Sequence, residues 1–507
     1  MSPFFARLIV FVASFALMLV EVVSGRAIAP YLGVSVYSWT AVIGATLFGV
    51  TIGNYLGGRF ADKMYSRKRL ALVMVCCGFA VLLMNYLVPI AGEMLMPPYL
   101  PLWFKTSLFS LITFFPSAFL LSTITPQVAK SDIRALDTVG RHLGSLYAWS
   151  SFGSLVGTAL AGYVLIALVG TKVLLTLTSV LLFALGLAIA WPEPIWKQKF
   201  SVVIVLFFVG DLLVPGICNT ETSYYCVRVS QQEMSGSSAY ILRLDHLIHT
   251  YVKPQKPEDV GYGYERVYTN LIAYTYQKTD AFNALFIGGG GYALPRYLEA
   301  FYPSSEVTVS EIDPGVTEAN HTLMELPRNT RIQTVNKDAR VYLDHVDAGK
   351  TFDLVFGDAF NDFSVPYHLT TVEFHRVLKQ RMSEKGVYAM NIIDDAKYGD
   401  FLAAMTRTLQ SVWKNVYVAP GEADIKAGRN TIVLLATDLD LDLERWKQIP
   451  PQRTLATEEE RTDWQTTIQI LPQEKVETFL ASHKAPALTD NFVPTDRYLA
   501  PVFSDAY

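Results

Sequence analysis

Residues Asn283 to Asp313 read NALFIGGGGYALPRYLEAFYPSSEVTVSEID, and this stretch decides the fold of the C-terminal half of the chain. An apolar run, Ala284 to Ile287, meets four glycines. Leu294, Tyr297, Leu298 and Phe301 then recur at helical spacing, and a second apolar run, Val307 to Val309, ends on Glu311 and Asp313. The pattern predicts a strand, a tight turn, a helix and a second strand with acids at its tip. Glycines let the chain turn sharply and let a ligand approach the backbone, while the helix that follows begins with unpaired N–H groups. A carboxylate about 20 residues further on, here Glu311, can accept hydrogen bonds from both hydroxyls of a ribose. The unit therefore predicts a nucleoside ligand. A phosphate loop of the G-x-x-x-x-G-K-[ST] kind is excluded, because no lysine follows the glycines.

Further strands are expected at Arg331 to Val335, Asp353 to Phe356, Gly386 to Asn391, Asn415 to Ala419 and Thr431 to Leu435, with helical patterns between several of them. Alternation of this kind predicts a doubly wound, mainly parallel α/β sheet that takes ligands at its strand tips. Asp338 and Asp358 follow two of these strands, and Asn361 and Asp362 come just after Asp358. A single aspartate at a strand end is commonly a helix cap or turn former. Four acids beside a glycine turn, Glu311, Asp338, Asp358 and Asp362, instead form a crevice suited to holding a cationic substrate and accepting a proton from it. Upstream, strand-like runs at Tyr224 to Val229 and Tyr240 to Leu244 predict a small β lid, followed by a polar connector from Lys253 to Asp259.

The first 217 residues have a different composition. Seven apolar stretches of spanning length are expected there, at 6–25, 38–58, 70–91, 102–123, 144–168, 172–191 and 200–217. Glu21 and Arg26 stand where a signal peptide would need small residues, so the first stretch reads as a retained span. Gly49, Gly53 and Gly57 recur every fourth residue, as do Gly153, Gly157 and Ala161, a spacing that lets helices pack closely. Basic residues cluster between Arg59 and Arg69, around Lys130 to Arg141 and at Lys197 and Lys199, which puts these loops in the cytoplasm. Seven crossings from a cytoplasmic N-terminus place the remainder outside, where Cys218 and Cys226 can form a disulfide. If the last stretch does not cross, the remainder is cytoplasmic and both cysteines are reduced. Within the spans, Glu21 is expected to pair with Arg26 or to lie near the interface, a cation or amine site being the alternative; Asp211 is a second costly acid, and Cys76 and Cys77 are inert core thiols. The domains are then a helical transmembrane bundle at 1–217, a β lid at 218–270 and a Rossmann-like domain at 271–507. A net charge of −4 gives no support to nucleic-acid binding; the lipid bilayer is the partner that the sequence itself points to.

From about Thr222 to Asn391 the chain resembles the spermidine synthase family, the polyamine aminopropyltransferases, whose core is similar to that of class I methyltransferases. The resemblance rests on YYCVRV and LRLDHLIH in the lid, LFIGGGGYALPRYL at the glycine turn, VSEIDPGV at the second strand, NKDAR, GDAFND and YHLTTVEFHRVL, all in the family order. EVVSGRAIAPYLG resembles the first-span region of membrane-fused members, and GRFADKMYSRKR is similar to a loop of major facilitator transporters.

The resemblance implies decarboxylated S-adenosylmethionine as co-substrate, a polyamine such as putrescine as acceptor, no permanently bound cofactor, no metal, and a homo-oligomer. It implies Gly288, Gly290, Glu311, Asp338 and His249 as nucleoside contacts and Asp358 as the base. Asn361, Asp362, Tyr264 and Tyr367 would line the amine side. Three positions depart from the family: Gly291 replaces an acid that contacts the donor amine, Asn361 replaces a second acid, and His249 replaces a glutamine. Methyl transfer from S-adenosylmethionine is the rival if Gly291 makes room for a donor carboxylate. A transporter or sensor that binds without turnover is a rival of another class. NAD binding fits Gly288, Gly290 and Ala293 but leaves Asp338 and Asp358 without a role.

Overall fold

The computed structural model describes residues 2–95, 100–132, 139–190, 205, 208–234, 237–346, 349–359, 365–395, 399–421, 429–451 and 458–504. The chain forms two compact units, Met1–Cys226 and Val227–Tyr507.

The first unit is helical. Its elements are α1 (Pro3–Leu32), α2 (Val36–Met64), α3 (Arg67–Leu95), α4 (Leu102–Thr113), α5 (Phe115–Ser122), α6 (Ile124–Asp132), α7 (Val139–Leu160) and α8 (Ile166–Ile189). Helix α1 packs on α7, α3 on α8 and α2 on α5, around an apolar core that includes Ile9, Val23, Met74, Val81 and Leu182. The glycine repeats set the closeness of these contacts. A Cβ on Gly53 would lie 2.1 Å from Ser122 Oγ and 2.3 Å from the Phe119 carbonyl oxygen, and one on Gly153 would lie 2.3 Å from the Phe11 carbonyl oxygen.

Four helices among the described residues are long and apolar enough to cross a membrane, or five if the bent pair α4 and α5–α6 counts as one span. This count, made over the described residues, does not support the seven expected spans. Pro116, in the first turn of α5, cannot continue α4, and the chain bends there by 46°. The 51-residue stretch Val139–Ile189 counts as one candidate but is not one continuous helix. A straight helix of that length would be about 75 Å, more than twice a hydrocarbon core of roughly 30 Å. It contains a π-turn at Ala161–Leu165 and breaks at Gly170, whose φ of 76° and ψ of 166° are not helical. The seventh stretch, 200–217, lies mostly outside the described residues; its described part is helical over 208–213.

The helical unit also extends past residue 217. Cys218 and Cys226 are disulfide-bonded. Between them Glu221 accepts hydrogen bonds from Thr171, and the carbonyls of Thr222 and Tyr224 accept from Arg26, so this segment is tied to the helices. Arg26 therefore does not pair with Glu21. Positions five apart on a helix do not face each other.

The second unit opens with an antiparallel meander, β1 (Cys226–Met234), β2 (Ser237–Leu244) and β3 (Leu247–Val252), followed by α9 (Gly263–Thr275). The main sheet comprises β4 (Asn283–Ile287), β5 (Glu306–Ser310), β6 (Gln333–Val335), β7 (Phe352–Gly357), β8 (Met382–Asp395), β9 (Asn415–Ala419) and β10 (Arg429–Thr437). Its spatial order is β9-β10-β8-β7-β4-β5-β6, a class I methyltransferase-like arrangement. Strands β8, β7, β4, β5 and β6 are parallel neighbours, whereas β10 runs antiparallel to both β8 and β9.

The sheet is covered on both faces, which is why its central strands are continuous apolar runs. Leu285, Ile287, Val355 and Tyr388 face one core together with α13 (Val372–Gln380) and α14 (Asp400–Gln410). Ala284, Phe286, Leu354 and Phe356 face the other, together with α9 and α10 (Ala293–Phe301). Strand order reverses between β4 and β7, and crevices open outside the strand ends at such a point.

Candidate active site

The glycine turn ends β4 at this reversal. Gly288 and Gly290 have φ of 94° and 48°, conformations that favour glycine. A Cβ on Gly288 would lie 2.5 Å from the carbonyl oxygen of Asp358, so this turn and the tip of β7 can be adjacent only with glycine there. Tyr292 also takes the left-handed conformation, with φ of 58°, at the start of α10. Its ring is buried, and its hydroxyl meets those of Thr317 and Thr334 at 3.1 Å.

Glu311, at the tip of β5, is tied to the turn. One carboxylate oxygen accepts the N–H of Gly289 at 2.8 Å and the other accepts that of Asp313 at 2.9 Å. Burial raises its pKa, and these N–H groups pull it back. Asp313 in turn caps α11 (Pro314–Leu323) by accepting the N–H of Gly315.

Asp358 follows β7. Its carboxylate accepts the Tyr264 hydroxyl at 2.7 Å on one oxygen and the Asn391 amide at 2.8 Å on the other. Packing around the carboxyl raises its pKa, and these two donors oppose the rise. Tyr264 is thus a direct partner of the acid. It is buried on α9, stacked on Tyr262 and edge-on to Tyr268. Glu265, beside it on the same helix, is 2% exposed and accepts the N–H of Tyr262 at 2.8 Å. Burial, with a smaller contribution from the charge of Asp358, pushes its pKa up to about 8.

Asn391 and Glu265 do not appear among the residues that the sequence nominates. Asn391 left one signal, a lone amide in the apolar run GVYAMNII. Buried amides need partners. The pairing of Gly357 with Met390 in the β7–β8 register brings Asn391 alongside Asp358.

Asp338 stands at the N-terminus of α12 (Ala339–His345) and accepts the N–H groups of Arg340 and Val341. Its second oxygen meets His368 Nε2 at 2.6 Å. Burial would raise its pKa, but His368 and the backbone donors hold it below the usual aspartate value. Tyr367, next to His368, is 60% exposed, with its ring against that imidazole. His249, on β3, has its Nε2 shielded from solvent with no hydrogen-bond partner. Burial and the charge of Arg429 depress its pKa to about 4, which leaves a neutral imidazole. Asn361 and Asp362 lie outside the described residues.

Gly291 does not leave an opening. A Cβ there would lie 2.6 Å from Thr250 Cγ2 and 2.9 Å from Val252 Cγ2, so strand β3 of the lid already fills the place of a side chain.

No protein-family model matches the chain. Over 158 residues it is 34% identical to a polyamine aminopropyltransferase of Vibrio vulnificus, a match covering 31% of this chain and 50% of that protein. Part of the chain is similar to the polyamine aminopropyltransferases. A second relative, a probable polyamine aminopropyl transferase of Bifidobacterium longum, is 26% identical over 150 residues, covering 29% of this chain and 32% of that protein. The chain thus spans half the length of the first aminopropyltransferase and a third of the second. Among solved structures, a probable spermidine synthase from Corynebacterium glutamicum aligns with a TM-score of 0.44 at 18% identity, covering 54% of this chain and 97% of that one.

Proposed function

We propose that the chain is a membrane-anchored aminopropyltransferase that moves an aminopropyl group from decarboxylated S-adenosylmethionine to an amine such as putrescine, releasing methylthioadenosine. The observation that carries this reading is the Asp358 carboxylate, held by Tyr264 and Asn391 at a strand tip that touches the glycine turn. The similarity to polyamine aminopropyltransferases supports it.

In this mechanism Gly288 and Gly290 bring backbone against the nucleoside, and Glu311 accepts hydrogen bonds from the ribose hydroxyls. Asp338 lies on the adenine side. His249 Nε2, enclosed and without a partner, is an acceptor or donor waiting for a ligand group. Asn361 and Asp362 remain the proposed contacts of the acceptor amine, with Tyr367 at the outer edge.

Asp358 takes a proton from the acceptor ammonium, leaving a nitrogen lone pair. That lone pair forms the new C–N bond at the carbon next to the sulfonium, and the C–S electrons return to sulfur as the thioether leaves. Sulfonium neutralisation supplies the driving charge change, so the site has mainly to position the two reactants and hold the base. The α/β unit is proposed to lie outside the cytoplasm, a placement supported by the Cys218–Cys226 disulfide, since such bonds persist in oxidising compartments.

Product analysis on the purified full-length protein tests the reaction, using decarboxylated S-adenosylmethionine or S-adenosylmethionine with a panel of amines. Methylthioadenosine together with an aminopropylated amine is the expected result. Nucleoside binding with neither product would remove the transferase reading in favour of a binding or transport role.

A further inference from the structure

A small, partly open cavity lies in the helical unit, between the C-terminal part of α1, the second half of α3, the start of α8 and residues 214–221. The active-site chemistry makes no use of it. Two cations line it, Arg26 and Lys172. Arg26 donates to the carbonyls of Thr222, at 3.2 Å, and Tyr224, while its Nε is buried without a partner. Lys172 donates to the carbonyl of Val214. Among the described residues neither cation has a carboxylate in ion-pair range, so each charge is answered only by neutral carbonyl dipoles.

The neighbouring acids are differently placed. Glu221 also lines the cavity, but both its oxygens accept the N–H of Thr171 at 3.0 Å and one accepts the Thr171 hydroxyl at 2.7 Å. It therefore sits on the first turn of the helix that restarts after Gly170, where the helix dipole favours an anion. Asp211 is 2% exposed and is bonded to the Asn85 amide and the Thr176 hydroxyl. Both acids thus have donors in place, whereas Arg26 and Lys172 have carbonyl acceptors only and Arg26 Nε has none. Cations without a counter-charge are costly in a bundle of apolar helices, and an anion bound to them supplies one.

We propose that this cavity binds a small anionic group, a phosphate or a carboxylate, through Arg26 and Lys172. The group comes either from a free anion or from the headgroup of an anionic lipid. The proposal goes beyond the transferase reading and stands independently of it.

The test uses full-length protein in phosphatidylcholine nanodiscs, titrated with inorganic phosphate, succinate or, as a cationic control, putrescine, with thermal unfolding as the readout. A parallel series contains phosphatidylglycerol. Phosphate, succinate or phosphatidylglycerol should raise the unfolding midpoint. Arg26→Gln and Lys172→Gln should each weaken that response roughly 10- to 100-fold in midpoint concentration, the loss of one charge-assisted hydrogen bond. The exposed Lys475→Gln should leave it unchanged.

A response to phosphate or succinate in phosphatidylcholine alone assigns a free anion, and one that needs phosphatidylglycerol assigns the headgroup. Arg26→Lys, which keeps the charge, should retain part of the response. If Arg26→Gln does not fold, Lys172→Gln decides. No response to any of the three anionic probes, a response undiminished in the variants, or a response to putrescine alone overturns the proposal.

Discussion

Asp211 in the helical unit and Asp358 in the α/β unit are held in the same way, each by one asparagine amide and one hydroxyl. Asn85 and Thr176 bind Asp211 at 2.9 and 2.7 Å, and Asn391 and Tyr264 bind Asp358 at 2.8 and 2.7 Å. Their settings differ. Asp358 adjoins a turn that only glycine permits and has a second buried acid, Glu265, near it. Asp211 lies among apolar helices, with Thr176 one helical turn beyond the cation Lys172. Two good donors therefore do not make a base. What makes Asp358 a candidate is its place at a strand tip against the glycine turn, together with burial that raises its pKa.

The comparison is broken most directly by replacing each acid with asparagine. Asp358→Asn should lower turnover by roughly 10²- to 10⁴-fold, the range of a lost general base, with nucleoside binding retained. Asp211→Asn should lower the unfolding midpoint of the helical unit and leave turnover near the wild-type value. Equal effects of the two on turnover would show that the matched donor sets matter more than the settings.

Removing one donor sharpens it. Thr176→Val strands a carboxylate oxygen of Asp211 and should cost about 1–3 kcal/mol in the helical unit, measured by thermal or denaturant unfolding. Asn391→Leu and Tyr264→Phe remove donors that favour the ionised form of Asp358, so its pKa should rise and the acid limb of the kcat/KM profile should move to higher pH. A residue that merely packs would lower the rate without moving that limb.

The smallest effect concerns the second acid. Glu265 is raised from 4.5 to about 8 in the folded unit, so between these values it is protonated when folded and ionised when unfolded. Unfolding then releases a proton, and stability present below the unfolded value is lost as pH rises toward 8. The slope has a ceiling of about 1.4 kcal/mol per pH unit. Glu265→Gln should flatten that decline, and an unchanged slope in pH-dependent denaturation would exclude Glu265 as its source.

The α/β strands were legible because each is an apolar run bounded by turn residues. Asn415 to Ala419 is a strand with those same ends, and the other expected strands fall within one to four residues of the observed ends. The antiparallel course of β10 left no local trace. The strand tips were legible too, because Glu311, Asp338 and Asp358 each follow an expected strand within three residues. The contact between Tyr264 and Asp358 was not, since it joins α9 to β7 across 94 positions and depends on the packing of α9 against the sheet. Hydropathy located the apolar stretches of the bundle and the interruption at Gly170, between the expected stretches 144–168 and 172–191, but not the bend at Pro116, a backbone event inside continuous apolar sequence. The pairing of Arg26 with residues near position 223 was likewise hidden, because only the folded segment brings those carbonyls within reach.

The crowding at Gly291 sets an order on sequence change. An acid introduced there by a single substitution meets Thr250 and Val252 before it meets any ligand. A variant library that restores negative charge at this turn must therefore shrink position 250 first. The one-step mutant and the two-step mutant should differ in folding before they differ in chemistry.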